Sequence, residues 1–321
     1  MKKRIIYEIK GLYRDNLRVT GYEFGKGKKS VCIVGTMRGN EVQQLYCCSQ
    51  LVKKFKQLEE EGRITPGHKI LIIPSCNPYS MNIQKRFWPI DNTDINRMFP
   101  GYDQGETTQR IADGVFKEIM DYQYGIQFTS FYMPGEFIPH VRMMDEGYST
   151  VEEALKFELP YVVIRNVRPY DTATLNYNWQ VWNTQAFSFY TTTTTGINRS
   201  SAGQSVLSIM KFLSALGMIK YQHTEAKKVS VVVRDTELSS VRTAKSGIFE
   251  PLVRVGDDVS EGTPLANIVN PYDGEIMETL FAPMDSKIFF MHTDPLTYAN
   301  TAVFKLIGTL LLPRTAPIGT H

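Results

Sequence analysis

Two short apolar runs bounded by turn residues, SVCIVG (residues 30–35) and HKILIIPS (residues 68–75), read as buried strands. Between them, residues 41–60 carry apolar side chains at helical spacing, with Val42, Leu45, Leu51, Val52 and Phe55 on or near one face. A second helix is predicted over 106–121 from Ile111, Val115, Ile119 and Met120. Strand-like runs follow at 124–129, 161–167 and 186–191, and a helix fits 200–216, with Gly217 as its stop. Strands alternating with helices predict an α/β domain with a largely parallel or mixed sheet. After about residue 227 the pattern changes to short β-type runs (VSVVVRD, SGIFEPLVRVG, SKIFFMHTD) separated by Gly, Asp, Asn and Pro. That change predicts a small all-β domain, so the boundary is placed between an α/β part at 1–226 and a β part at 227–321.

Composition narrows the function classes. At 321 residues the chain is long enough for a large and a small domain. Its net charge of +3, with no basic stripe, argues against nucleic acid as a partner. MKKRIIYEIK lacks the apolar core of a signal peptide, and no stretch approaches the roughly 20 apolar residues of a membrane span. Cys32, Cys47, Cys48 and Cys76 lack zinc-ribbon spacing and read as reduced thiols. The expectation is a cytoplasmic protein that binds neither membrane nor nucleic acid.

Chemistry concentrates in a few motifs. GTMRGNE (35–41), IIPSCNPYS (72–80), RFWPIDNTDINRMFPG (86–101), TTQRIADGVFKEIMDYQYGIQFTS (107–130) and IPHVRMM (138–144) stand in the order and spacing of the succinylglutamate desuccinylase/aspartoacylase family, which the chain resembles. SGIFEPLVRVGDDVSEGTPLANI (246–268) is similar to that family's small β domain. It also resembles the barrel-sandwich fold of lipoyl and biotinyl carriers, but its NPYDGE turn offers no lysine for a cofactor. The resemblance implies a zinc carboxypeptidase-like mixed sheet flanked by helices, plus a barrel-sandwich-like β domain. The activity it implies is hydrolysis of acylated amino acids or similar amides.

That reaction needs a zinc ion on three protein ligands with an open position for water, a Glu to move the proton, and arginines for the substrate carboxylate. Position by position, the catalytic half is substituted. The first ligand pair of the family, His and Glu, corresponds to Arg38 and Glu41. An arginine has no lone pair to give a metal and stays charged. The second His corresponds to Gln127, with Gly125 where the family has Asp, and an amide oxygen is a poor zinc ligand beside imidazole. The general-base strand corresponds to QAFSFY (185–190), with Ser188 and Tyr190 in its key places and Tyr190 at the base position.

The anion-binding half is kept. Asn96 and Arg97 match the substrate-carboxylate pair, Arg86 the pocket arginine and Asn77 the Asn-Pro turn, while Arg142 lies in the segment near the mouth. Arg97 either binds substrate or braces its loop on Asp94, and Arg38, placed to pair with Glu41, is expected with Asn77, Arg86, Asn96, Arg97 and Arg142 to bind the substrate. Of His68, His140, His223, His292 and His321, only His140 is expected near the pocket.

The reading is therefore a family protein without zinc or another cofactor and without amidohydrolase activity. Its expected partner is a small carboxylate or acyl amino acid, or else a paralogous catalytic subunit or a second copy of itself. The alternative is an active deacylase with a rebuilt metal site. The dense aromatic stretch YNWQVWNTQAFSFY (177–190) could serve an interface, a pocket wall or the core.

Overall fold

The computed structural model describes residues 1–11, 15–222 and 229–309. The chain divides into two compact units, Met1–Ser130 with Pro139–Ser230, and Phe131–Ile138 with Val231–His321. The 226/227 boundary read from the sequence lies outside the described residues. The excursion of Phe131–Ile138 into the second unit has no signature in the hydrophobic pattern.

In the first unit, strands β1 (Lys2–Ile9), β2 (Leu17–Gly25), β3 (Gly27–Thr36), β4 (Gly67–Ser75) and β5 (Tyr124–Thr129) precede a short strand of the other unit, β6 (Gly135–Phe137). Three more strands of this unit follow: β7 (His140–Met144), β8 (Tyr161–Arg165) and β9 (Gln185–Tyr190). Their order across the sheet is β1-β2-β4-β3-β5-β9-β7-β8. The β3, β4, β5 and β9 core is parallel, whereas β1–β2, β2–β4 and β7–β9 are antiparallel. This is the mixed sheet expected from the alternation of strands and helices.

Period-two alternation explains its two buried faces. Val31, Ile33, Ile70 and Ile72 point into one apolar cluster with α1 (Val42–Glu60). The intervening Cys32, Val34, Leu71 and Ile73 point into the opposite cluster. The helices between the strands are α2 (Pro78–Asn82), α3 (Thr107–Ile119), α4 (Val151–Leu155), α5 (Leu175–Val181) and α6 (Arg199–Ala215). α6 packs on the α1 face, and α3 with Trp179 of α5 on the other.

Two details of the periodicity come out differently. In α1 the buried stripe is Gln44, Cys47, Cys48, Leu51, Phe55 and Leu58, whereas Val42 and Leu45 are only half-buried. The adjoining cysteines act as small apolar side chains against the sheet. The stretch at 177–190 is neither one strand nor an exposed band. It is the end of α5 followed by β9, with Trp179 fully buried and its indole N–H donated to the Ile119 carbonyl at 3.1 Å. The strand predicted to reach 167 stops at Arg165, and the one predicted to reach 191 stops at Tyr190. α6 ends as expected at Gly217, whose φ of +70° suits a glycine past a helix C-terminus.

The second unit carries β10 (Val231–Arg234), β11 (Leu238–Arg242), β12 (Gly247–Pro251), β13 (Asp258–Val259), β14 (Pro264–Val269), β15 (Ile276–Phe281), β16 (Ser286–His292), β17 (Leu296–Thr297) and β18 (Ala302–Gly308). Two antiparallel sheets, β11-β18-β16-β13 with β6 on β16, and β15-β14-β12-β17, enclose a core that includes Phe249, Leu265, Ile268, Ile288, Val303 and Leu306. The NPYDGE segment forms the tip between β14 and β15, with Tyr272 exposed.

Candidate functional site

The site is built where the parallel strands β3 and β5 end. Their register sets Val34 beside Gln127, so the turn after β3 and the end of β5 come together. Glycine allows the close approach that follows. A Cβ at Gly39 would lie 2.3 Å from the Lys85 carbonyl oxygen, and the Gly39 N–H donates to the Arg86 carbonyl at 3.1 Å. The loop carrying Arg86 is thereby pressed onto the turn carrying Arg38 and Glu41.

Glu41 is the N-cap residue of α1, fully buried, and both of its carboxylate oxygens are occupied. Oε2 accepts the backbone N–H of Met37 at 2.8 Å and of Arg38 at 3.0 Å. Oε1 accepts the Ser130 hydroxyl at 2.6 Å and Nη1 of Arg38 at 3.2 Å. Arg38 also donates Nε and Nη2 to Asp94 Oδ2 at 3.1 and 2.8 Å. Burial works against the Arg38 charge, but Glu41 and Asp94 outweigh it and hold the guanidinium above its usual range.

From Asp94 the network continues. Asp94 Oδ1 caps the short 3-10 turn Ile95–Arg97 by accepting the Asn96 N–H at 3.0 Å. Asn96 Oδ1 in turn accepts Gln127 Nε2 at 2.9 Å. Arg38, Glu41, Asp94, Asn96 and Gln127 thus form one hydrogen-bonded chain.

The other sequence-predicted residues have different surroundings. Arg97 does not brace on Asp94, because Arg38 already holds that carboxylate. Its Nη1 donates to the Tyr170 carbonyl and lies 3.8 Å from Asp171, and its guanidinium sits 5.5 Å from the centre of the Tyr170 ring. Asn77 caps α2 through the Ser80 N–H at 3.2 Å and donates to the Met37 carbonyl at 3.3 Å, which is a loop-building role. Arg86 is partly buried, and burial followed by repulsion from Arg38 lowers its pKa, with Glu41 and Asp94 pulling the other way.

Tyr190 and His140 face each other across the β9–β7 pair, their rings stacked at 4.8 Å and 6°. Arg142 lies 4.3 Å from the centre of the Tyr190 ring and donates Nε to His140 Nε2 at 2.9 Å. Ser188 registers with Gln127 on one side and Arg142 on the other. His68 accepts or donates at 2.9 Å with Ser30, and His292 contacts the Pro134 carbonyl, so neither belongs to this cluster. His223 and His321 lie outside the described residues.

Sequence reasoning missed Ser130 and the pairing of Asp94 with Arg38. Ser130 closes the motif ending QFTS, yet nothing in the local pattern announces that its hydroxyl reaches Glu41. Gly125, where the family pattern expects Asp, is explained by packing: a Cβ there would lie 2.5 Å from the Trp179 ring.

A zinc ion, which the fold family implies, does not fit these residues. The positions that the sequence reading assigns to its ligands hold a guanidinium, a carboxylate saturated by hydrogen bonds and an amide engaged with Asn96. Among the described residues no group of three or more His, Cys, Asp or Glu is placed to hold a metal ion. No helix among them is long and apolar enough to cross a membrane.

Comparison with known proteins bears on the sequence and on the fold. Residues 27–126 match the domain described as Succinylglutamate desuccinylase/Aspartoacylase catalytic domain. A stretch of 95 residues is 27% identical to an N-alpha-acetyl-L-2,4-diaminobutyric acid deacetylase of Halomonas elongata, covering 30% of this chain and 26% of that relative. The match therefore spans about a quarter of the relative's length.

A succinylglutamate desuccinylase structure from Silicibacter superposes with a TM-score of 0.78 at 17% identity, covering 94% of this chain and 92% of the other. An aspartoacylase family protein from Mesorhizobium loti gives 0.73 at 22% identity, covering 92% and 91%. Residues 27–126 are thus similar to the succinylglutamate desuccinylase/aspartoacylase catalytic domain, and the chain has the fold of solved structures described by that family's name.

Proposed function

We propose that this chain is a succinylglutamate desuccinylase/aspartoacylase-family protein without zinc-dependent amidohydrolase activity, and that its pocket binds a small carboxylate. One observation carries the first half. Glu41, at a family metal-ligand position, has both oxygens occupied by Arg38, Ser130 and two backbone N–H groups. A fixed guanidinium takes the metal's place as the partner of the carboxylate, and it is no Lewis acid to activate a water.

The second half rests on Arg86. Burial and the neighbouring Arg38 disfavour its charge while Glu41 and Asp94 favour it, so an incoming carboxylate would be a further favourable partner. Asn96, its oxygen fixed by Gln127, and Arg97 are the other retained members of the family's anion-binding set. Acyl amino acids and dicarboxylates match this chemistry.

The test is a thermal-shift and calorimetric screen of amino acids, acyl amino acids and dicarboxylates. A charge-assisted hydrogen bond is worth about 1.5–3 kcal/mol, so Arg86→Gln should weaken the best ligand roughly tenfold to a hundredfold. If no acid stabilises the wild type, carboxylate binding fails and a partnership with a paralogous catalytic subunit becomes the better account.

A second reading, an active deacylase, draws on the name of the Halomonas elongata relative. Hydrolysis of N-acyl amino acids that disappears in Glu41→Ala would establish it and sink the first reading.

A further inference from the structure

Helices α1 and α6 lie on the same face of the first unit's sheet, and a groove of about 300 Å³ opens between them. That size is at the lower end for a small-molecule site. Helical spacing builds it. Tyr46, Gln50, Lys53 and Lys54 follow one stripe of α1, and Ala202 with Val206 follows one stripe of α6.

Two independent features point to a ligand, and the first fixes its charge. Lys53, Lys54 and Arg199 line the groove, and no Asp or Glu does. Neither α1 from Val42 to Leu58 nor α6 from Arg199 to Ala215 contains an acidic residue. Arg199 also stands at the first position of α6, with no acid in that turn, so its charge adds to the positive end of the helix dipole instead of offsetting it. Lys54 is tied down, donating to Gln57 at 3.2 Å and lying 5.6 Å from the centre of the Tyr221 ring. The second feature is Gly203, which also lines the groove. Glycine weakens a helix interior and is used where the backbone must come close to something. Among the described residues, nothing lies within 4 Å of a Cβ built at this position. No packing contact calls for the glycine, and its bare backbone keeps open a space that a side chain would fill.

We propose that this groove binds a short phosphate chain, free or as the tail of a nucleotide, with its oxygens on Lys53, Lys54 and Arg199 and its body over Gly203. Lysines act as point charges that suit phosphate, and an arginine adds paired donors. Three cations in one groove favour a chain carrying several negative charges over a single carboxylate. The groove shares no residue with the arginine cluster around Glu41, and the proposal does not depend on the carboxylate reading.

Isothermal titration calorimetry of the full-length protein at low salt provides the test, with sodium tripolyphosphate, orthophosphate and ATP as probes. Tripolyphosphate should fill one saturable site, about tenfold or more tighter than orthophosphate, and should weaken as salt is added. Lys53→Gln and Arg199→Gln should each weaken it about threefold to tenfold, since both side chains are exposed and partly screened. Gly203→Leu should abolish binding by filling the groove while leaving the melting temperature unchanged or higher. Lys56→Gln, exposed on α1 outside the groove, and Arg86→Gln should change nothing. ATP bound with the same losses in these variants identifies a nucleotide's tail, and ATP left unbound identifies a free chain. No saturable binding, equal losses in Lys56→Gln and Lys53→Gln, undiminished binding in Gly203→Leu, or loss in Arg86→Gln would each overturn the proposal.

Discussion

Replacing Arg38 by methionine keeps side-chain length and apolar contact but deletes the cation shared by Glu41 and Asp94. The wild-type guanidinium donates to Asp94 at 3.1 and 2.8 Å, to Glu41 at 3.2 Å and to Ser130 at 3.4 Å. The Glu41 side chain is 1% exposed and that of Asp94 15%, so neither charge recovers full hydration when its partner is lost. Removing one member of a buried ion pair costs about 3–5 kcal/mol. Glu41 would keep two backbone N–H donors and the Ser130 hydroxyl, which places the cost near the lower end, about 3 kcal/mol. At about 2–4 °C per kcal/mol for a unit of this size, the melting temperature should fall by about 6–12 °C. Differential scanning calorimetry of the single variant and of Arg38→Met/Glu41→Gln provides the assay. The double variant should recover part of the loss, because the buried carboxylate is then neutral. A single variant melting within a degree or two of wild type would refute the idea that the triad is a stabilising replacement for a metal.

Two further outcomes follow from the same geometry. Burial pushes the Cys47 thiol up to about 12, and burial together with Glu41 does the same for Cys76, while Cys32 and Cys48 are also raised by burial. Iodoacetamide at pH 8 should therefore leave all four unmodified in the native protein, as intact mass would show, and label them rapidly in denaturant. Unfolded thiols ionise near about 8.5, so between there and about 12 the unfolded chain binds fewer protons than the folded one, and stability should fall as pH rises through that window. Denaturant melts at pH 8 and 10 check the direction. Asn77→Ala removes the α2 cap and the bond to Met37, and should cost about 1 kcal/mol, seen as a lower urea midpoint.

Much of the fold was legible because it depends on periodicity. β3 and β4 contain continuous apolar runs, and such runs are what a parallel strand buried on both faces requires. The amphipathic spacing of α3 and the Gly217 stop were equally local. An N-terminal strand region and a strand around His140 were expected, but the bounds of β1, β2 and β7 and the whole of α5 were not, since their burial is decided by partners distant in sequence. In the site, the spacing of Arg38 and Glu41 was enough to expect their pairing. Asp94 was read as a neighbour of Arg97, eleven residues from Arg86, whereas its true partner is 56 positions away. Ser130 likewise reaches Glu41 across 89 positions. Contacts of that range follow from the register of β3 against β5, and no local pattern encodes them.

The most direct test of the central claim is the zinc content of the purified protein, prepared without chelator or added metal and measured by inductively coupled plasma mass spectrometry. With Arg38 and Gln127 at the positions that the sequence reading assigns to the family's imidazoles, and Glu41 saturated by hydrogen bonds, well under one equivalent per chain is expected. One equivalent of zinc, lost in Glu41→Ala, would contradict the account and return the chain to the metal-dependent hydrolases.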